Sequence, residues 1–250
     1  MKNVDFLIKY LSDERHMTIQ QDIPESEKFN NYRFLVNIRD PGEPSDTYLK
    51  IEDEYLRQLI AEKGITDYTT LSPKEPHIYL WQGDITTLKC DAIVNAANSA
   101  MTGCYMPCHN CIDNCIHTFA GVRLRAACDR LMKMQDYPEP TGQAKITQGY
   151  NLPAEYIIHT VGPIVQGQLT ELHCRELESC YRACLEVAAE YRLKSIAFCC
   201  LSTGVFGFPQ QEAAEIAVKT VRRYVKDNDI DVIFNVFTDA DREIYTALLG

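Results

Sequence analysis

Between Cys104 and His117 the chain runs Cys-Tyr-Met-Pro-Cys-His-Asn-Cys-Ile-Asp-Asn-Cys-Ile-His. Four cysteines, two histidines and one aspartate share this stretch. Thiolate sulfur and neutral imidazole are the donors that Zn²⁺ prefers. A cluster this dense costs desolvation and invites oxidation, so its chemistry reads as a metal site. The plainer alternative is a cysteine-rich loop whose thiols are buried independently of one another.

Three further stretches carry polar or small residues where strands should end: Gln82-Gly-Asp-Ile85, Asn95-Ala-Ala-Asn98 and Ser202-Thr-Gly-Val-Phe-Gly-Phe208. In the last, Gly204 and Gly207 permit positive φ and close backbone approach, which is how a loop presents N–H groups to a diphosphate. It is not a Walker loop, since no Gly-Lys-Ser/Thr follows, and no Gly-x-Gly-x-x-Gly opens the first strand–helix unit.

The elements that must position these loops alternate. Strands are expected over 77–81, 92–95, 144–150, 156–160, 195–200 and 231–236. Helices are expected over 113–132, 170–191, 210–226 and 239–249. That order implies a three-layer α/β/α sandwich around a mostly parallel or mixed sheet, with ligands beyond the carboxyl ends of the strands. Residues 1–75 differ. Val4, Leu7, Ile8 and Leu11 repeat at helical spacing, as do Phe29, Tyr32, Leu35 and Val36. A third helix is expected over 46–63, with Gly64 as its stop. This segment is an N-terminal helical extension (1–75) with no chemistry of its own, packed on the main domain (76–250).

The 250 residues are 46% apolar, enough for a full core, and carry a net charge of −10. That charge argues against a nucleic-acid partner, because phosphate-backbone binding needs a basic surface. A small anion held by backbone N–H groups remains possible. Asp5 and Lys9 interrupt what a signal peptide would need as an apolar run, and no stretch is long enough to cross a bilayer. A cytoplasmic location is therefore expected, and the eleven cysteines should be reduced. In that setting a tight Cys/His cluster suggests metal binding or catalysis before disulfides.

"GDIT" at 83–86, "AIVNAAN" at 92–98, "GYNLPAEYIIHTVGP" at 149–163 and "STGVFGFP" at 202–209 together resemble the macrodomain signatures, from about His77 to the C-terminus. The resemblance implies the macrodomain sandwich and binding of ADP-ribose. Where other macrodomains carry a glycine run, this chain has the Cys/His stretch, which is similar to the Cys-Phe-x-Pro-x-His-x-Cys of a zinc-dependent branch, with Tyr105 for the Phe. That branch also carries an N-terminal helical extension.

For this chain the resemblance implies a zinc-dependent, glycosidase-type hydrolase that removes mono-ADP-ribose from protein side chains. The zinc ligands would be Cys104, His109 and Cys111. Three protein ligands leave one coordination position open, as in catalytic zinc. A closed structural site drawing in Cys108 and Cys115 is the competing arrangement. Asp84 and Ile85 match the adenine-holding positions, and Asp84 should also cap a turn. Asn98 matches the distal-ribose position and Asn95 a loop brace. Cys111, Ile112, Ser202, Thr203, Gly204 and Phe206 match the diphosphate and distal-ribose surface. Phe208 is open between core and ligand platform.

Asp113 is expected to cap the helix that follows and, with Asn98, to act in catalysis by activating or orienting water. His117 is expected as a satisfied core histidine, His77 and His159 as structural, and Cys90, Cys115, Cys128, Cys174, Cys180, Cys184, Cys199 and Cys200 as packing. The branch is associated with sirtuin-type transferases acting on a lipoylated carrier protein, which makes such an ADP-ribosylated carrier the implied partner. A non-catalytic ADP-ribose reader and a hydrolase of a small acylated ADP-ribose are the rival functions.

Overall fold

The computed structural model describes residues 3–18 and 22–250; positions 1, 2 and 19–21 of the expected extension lie outside the described residues. The chain opens with three helices, α1 (Asn3–Glu14), α2 (Glu25–Ile38) and α3 (Asp46–Lys63). Ser45 caps α3 by accepting from the Tyr48 N–H, and Gly64, at φ 89°, ends it, as its position suggests. Then follow β1 (Thr66–Asp67), β2 (Ile78–Gln82), β3 (Leu88–Lys89), β4 (Ala92–Ala96), α4 (Ile112–Ala120), α5 (Val122–Gln135), β5 (Ala144–Gln148) and β6 (Tyr156–Thr160). The chain closes with α6 (Glu171–Glu190), β7 (Ser195–Phe198), α7 (Gln210–Val225), β8 (Asp231–Val236) and α8 (Asp239–Leu249).

Six strands form one mixed sheet in the order β2-β8-β7-β4-β6-β5. Only the edge strand β5 is antiparallel, pairing with β6. β4 and β7 are buried along almost their whole length, which explains their near-continuous apolar sequences: a parallel strand covered on both faces has no wet side to alternate toward. Helices cover both faces. α4 and α5 pack on the side to which Asn95 and His159 point, and α6 packs against β5 and β6 from the other side with α7 and α8 beside it. α1, α2 and α3 form an outer layer that contacts the domain through α4, α5 and the turn after β2. Their apolar residues belong to one buried cluster that runs from Val4 to Leu249, so they do not build a separate core.

Two expectations are corrected, and one pairing is new. The single helix over 113–132 is two helices, broken at Gly121 (φ 91°). The break aims the Val122 N–H at the carboxylate of Glu52 on α3 (3.1 Å), and a Cβ on Gly121 would lie 2.7 Å from that carboxylate. The apolar run at 195–200 leaves the sheet after Phe198, where Cys199 and Cys200 turn into a loop. The two-residue pair β1–β3 was not foreseen, because so short a bridge leaves no periodicity to read.

Candidate functional site

The carboxyl ends of β2, β4, β7 and β8 open onto one cleft of about 760 Å³. Asp84 and Ile85 follow β2; Asn98, Cys104, His109, Cys111, Ile112 and Asp113 follow β4; Ser202, Thr203, Gly204 and Phe206 follow β7. These twelve sequence-named candidates therefore line the same cleft.

At one end, Asp84 caps a short 3₁₀ turn. Its Oδ1 accepts from the Thr86 N–H (3.0 Å) and hydroxyl (2.6 Å), and its Oδ2 accepts from Lys63 Nζ of α3 (2.8 Å). Burial alone would raise the Asp84 carboxyl, but the hydrogen bonds from Lys63 and Thr86 outweigh it and hold the group below its ordinary range. Phe237, following β8, stands 75% exposed on the same rim.

The loop after β7 is folded by its own backbone. Gly207 N–H donates to Gly204 O (3.0 Å), Phe208 N–H to Ser202 O (3.0 Å), and Val165 N–H to Phe206 O (2.8 Å). Both glycines permit positive φ. Gly207 has it (70°), but Gly204 does not, and the other left-handed residue of the loop is Ser202 (φ 63°). Gly162 lies so close that a Cβ there would sit 2.0 Å from Ser202 Oγ. Phe208 is buried and belongs to the core.

At the other end, Asp113 is only 4% exposed. The expectation that it caps the helix is corrected: the cap is Cys111, whose sulfur accepts from the Asn114 N–H at 3.4 Å. Asp113 lies inside the first turn, and its carboxylate turns inward. Asn95 Nδ2 donates to Oδ1 (2.8 Å) and Asn98 Nδ2 to Oδ2 (3.3 Å). Of the two asparagines, Asn98 lines the cleft and Asn95 lies behind it. Asn98 braces its own loop, donating to Gly103 O and accepting from the Ala100 N–H. Asn95 is fully buried and grips Asp113. Burial pushes the Asp113 carboxyl up to about 6 against the opposing pull of Asn95, Arg125 and Asn98. A second contact, Asn95 Nδ2 to His159 Nδ1 (3.1 Å), makes that nitrogen the acceptor, so His159 Nε2 carries the proton toward Thr147 Oγ1 at 2.9 Å. Burial keeps His159 neutral, lowering it to about 3.

Beside Asp113 stand Cys104, His109 and Cys111. Their ligating atoms all lie within 4.8 Å of one another, with Cys104 Sγ and His109 Nδ1 3.7 Å apart. Two sulfurs and an imidazole nitrogen, half-buried at a cleft wall, are a donor set that fits zinc. Burial raises the Cys111 thiol to about 12, and a coordinating cation reverses such a shift by deprotonating the thiol. Cys108 and Cys115 are not in this group. The Cys108 sulfur faces Asn30 O of α2 at 3.6 Å. Cys115, expected as a packing residue, is half-buried and lines the cleft.

His117 is buried as expected but is not satisfied: neither ring nitrogen has a hydrogen-bond partner, and Nε2 lies 3.5 Å from Asp113 Oδ1. With Cys128 and His159 it forms a second close trio, wholly interior. These three come from α4, α5 and β6, so spacing gave no sign of them.

Sequence reasoning also missed Arg33, Asn37, Lys63 and Asn114. Their signal is weak: polar residues on α2, α3 and α4 say nothing about what they face.

The Macro domain family matches residues 94–217. A protein-ADP-ribose hydrolase from Treponema medium is 51% identical over 253 residues, covering 98% of this chain and 97% of that protein. The Oceanobacillus iheyensis macrodomain with ADP superposes with a TM-score of 0.63 at 38% identity, covering 68% of this chain and 88% of that one. The Trypanosoma brucei macrodomain in complex with ADP-ribose superposes with a TM-score of 0.67 at 27% identity, covering 92% and 97%. With its motifs placed around one cleft at the carboxyl edge of a six-stranded mixed sheet, the chain belongs to the macro domain family.

Proposed function

We propose that the protein is a hydrolase that removes ADP-ribose from ADP-ribosylated protein side chains, with zinc held by Cys104, His109 and Cys111. The observation that carries this reading is the juxtaposition of a buried carboxylate, Asp113, with a three-donor metal set at one end of a nucleotide-sized cleft. The relative at 51% identity, a protein-ADP-ribose hydrolase, spans nearly the whole chain and supports it.

Cleavage breaks the bond between C1 of the distal ribose and the protein side chain, and positive charge develops on the ribose as that bond opens. The adenine end would lie against Asp84 and Ile85, and the diphosphate along the 202–206 loop. Asn95 and Asn98 hold both oxygens of Asp113 in place, so its carboxylate can orient a water and accept its proton without first reorganising. Bound zinc would supply Lewis acidity at the sugar end.

The test is ADP-ribose release from a modified protein, measured with metal analysis before and after chelation, with Asp113→Ala alongside. A lipoylated carrier modified by a sirtuin-type transferase is the substrate to try first, and free acylated ADP-ribose is the comparison. Turnover that survives both chelation and Asp113→Ala would refute the mechanism. Tight ADP-ribose binding with no turnover would make the protein a reader.

A further inference from the structure

We propose that Arg33, on the N-terminal helix α2, is a positioning residue that presets the metal loop through Asn114. The inference rests on the zinc reading above and goes beyond it, since it assigns a role at the site to the helical layer.

The loop from Ala97 to Cys111 joins β4 to α4 without regular structure. A loop of this kind must be ordered before three of its side chains can meet at one ion, and the cost of ordering subtracts from affinity unless it is met on folding. α2 supplies the ordering. Arg33 Nη2 donates to the carbonyl of His109 (2.7 Å) and to Asn114 Oδ1 (2.9 Å), and Nε donates to the same Oδ1 (3.2 Å). Asn114 is fully buried. With its carbonyl oxygen claimed by the guanidinium, its amide nitrogen is left to donate to Met106 O (3.0 Å) and Cys104 O (3.4 Å). Its backbone N–H points at Cys111 Sγ (3.4 Å).

All three donor residues are thus tied to one pair of residues: Cys104 and His109 by their carbonyls to the side chains of Asn114 and Arg33, Cys111 by its sulfur to the backbone N–H of Asn114. One turn further along α2, Asn37 Oδ1 accepts from the Cys108 N–H (2.8 Å) and Nδ2 donates to Thr118 (3.1 Å). The guanidinium fork matters here. A lysine is a single point donor and would not fix the direction of the Asn114 amide. If that amide turned over, its nitrogen would face Arg33 and its oxygen would meet the carbonyls of Cys104 and Met106.

The experiment uses the full chain. Arg33→Lys and Arg33→Gln are compared with wild type by zinc competition against a chromophoric chelator. Melting temperature is measured with and without zinc, and ADP-ribose affinity is measured on the metal-free protein. The expected result is zinc affinity weakened at least tenfold and a smaller zinc-induced rise in melting temperature, with ADP-ribose affinity of the metal-free protein within about twofold of wild type. Asn30→Ala, an exposed change on the same helix, should leave zinc affinity as it was. A merely structural Arg33 would lower the melting temperature of both forms equally and leave zinc affinity unchanged. Folded Arg33 variants that bind zinc as tightly as wild type overturn the inference. A wild-type chain that takes up no zinc overturns the zinc reading and this inference with it.

Discussion

At the scale of single residues, the proposed chemistry hangs on one carboxylate held by two amides. Asn95→Ala removes the shorter of the two hydrogen bonds to Asp113 and leaves a buried oxygen short of a donor. The expected outcome is a fall in kcat of about ten- to a hundredfold with ADP-ribose affinity nearly unchanged, measured by release assay and titration calorimetry. Stability should fall by about 1–3 kcal/mol. At the adenine end, Asp84 sits below the ordinary carboxylate value of 3.8 through Lys63 and Thr86. A depressed folded-state pKa stabilises the fold above the unfolded value and loses that contribution as pH falls through the folded one. Lys63→Met should therefore lower the melting temperature near neutrality and converge with wild type in acid. Because the pair is about a third exposed on each side, the loss should stay under about 1 kcal/mol. That Asp84, Cys104, His109, Cys111 and Asp113 are the polar groups to look for at one cleft was legible from residue type and motif. The grip of Asn95 on Asp113 was not, since the partner of a buried amide is not written in its own stretch of chain.

At the scale of elements, the join between the helical layer and the domain is a buried acid. Glu52 of α3 is fully buried, and its Oε1 accepts from the hydroxyls of Tyr32 (2.7 Å) and Tyr48 (2.9 Å). Its Oε2 accepts from the N–H of Val122, which Gly121 has aimed at it. Burial raises its pKa, and the three donors pull against that rise. Glu52→Ala would leave three buried donors without a partner. At about 1–3 kcal/mol for each such group, the expected loss is at least about 3 kcal/mol, read from urea denaturation. Glu52→Gln, which keeps an acceptor, should cost less. This explains why a helix expected to be continuous breaks in two: the Gly121 turn serves a contact with a segment far away in sequence. The 3.6-residue apolar period runs through the break and hides it.

At the scale of the whole molecule, the loop that carries Cys104, His109 and Cys111 is tied to α2 and α4 by protein groups, so metal loss and unfolding should separate. Chelation is expected to abolish turnover and lower the melting temperature while the far-ultraviolet circular dichroism keeps its native form. A zinc-finger-like domain, in contrast, unfolds when stripped. A chain starting at Thr66 would instead lose its fold or its solubility. It would expose Phe119, which stacks on Phe29 of α2 at 5.7 Å, and leave the buried Arg125 without the carbonyls of Val36 and Asn37. By itself the sequence determined the alternation of strands and helices, the family motifs and the residues able to bind metal or carry a proton, because period, turn chemistry and donor type are local properties. Only the tertiary structure decided that α2 holds the loop of Cys104 to Cys111, that Lys63 engages Asp84, that Gly121 breaks the helix and that His117, Cys128 and His159 meet in the interior. Each of these joins residues remote in the chain, and no local pattern records which surface a polar side chain will face once the core has closed.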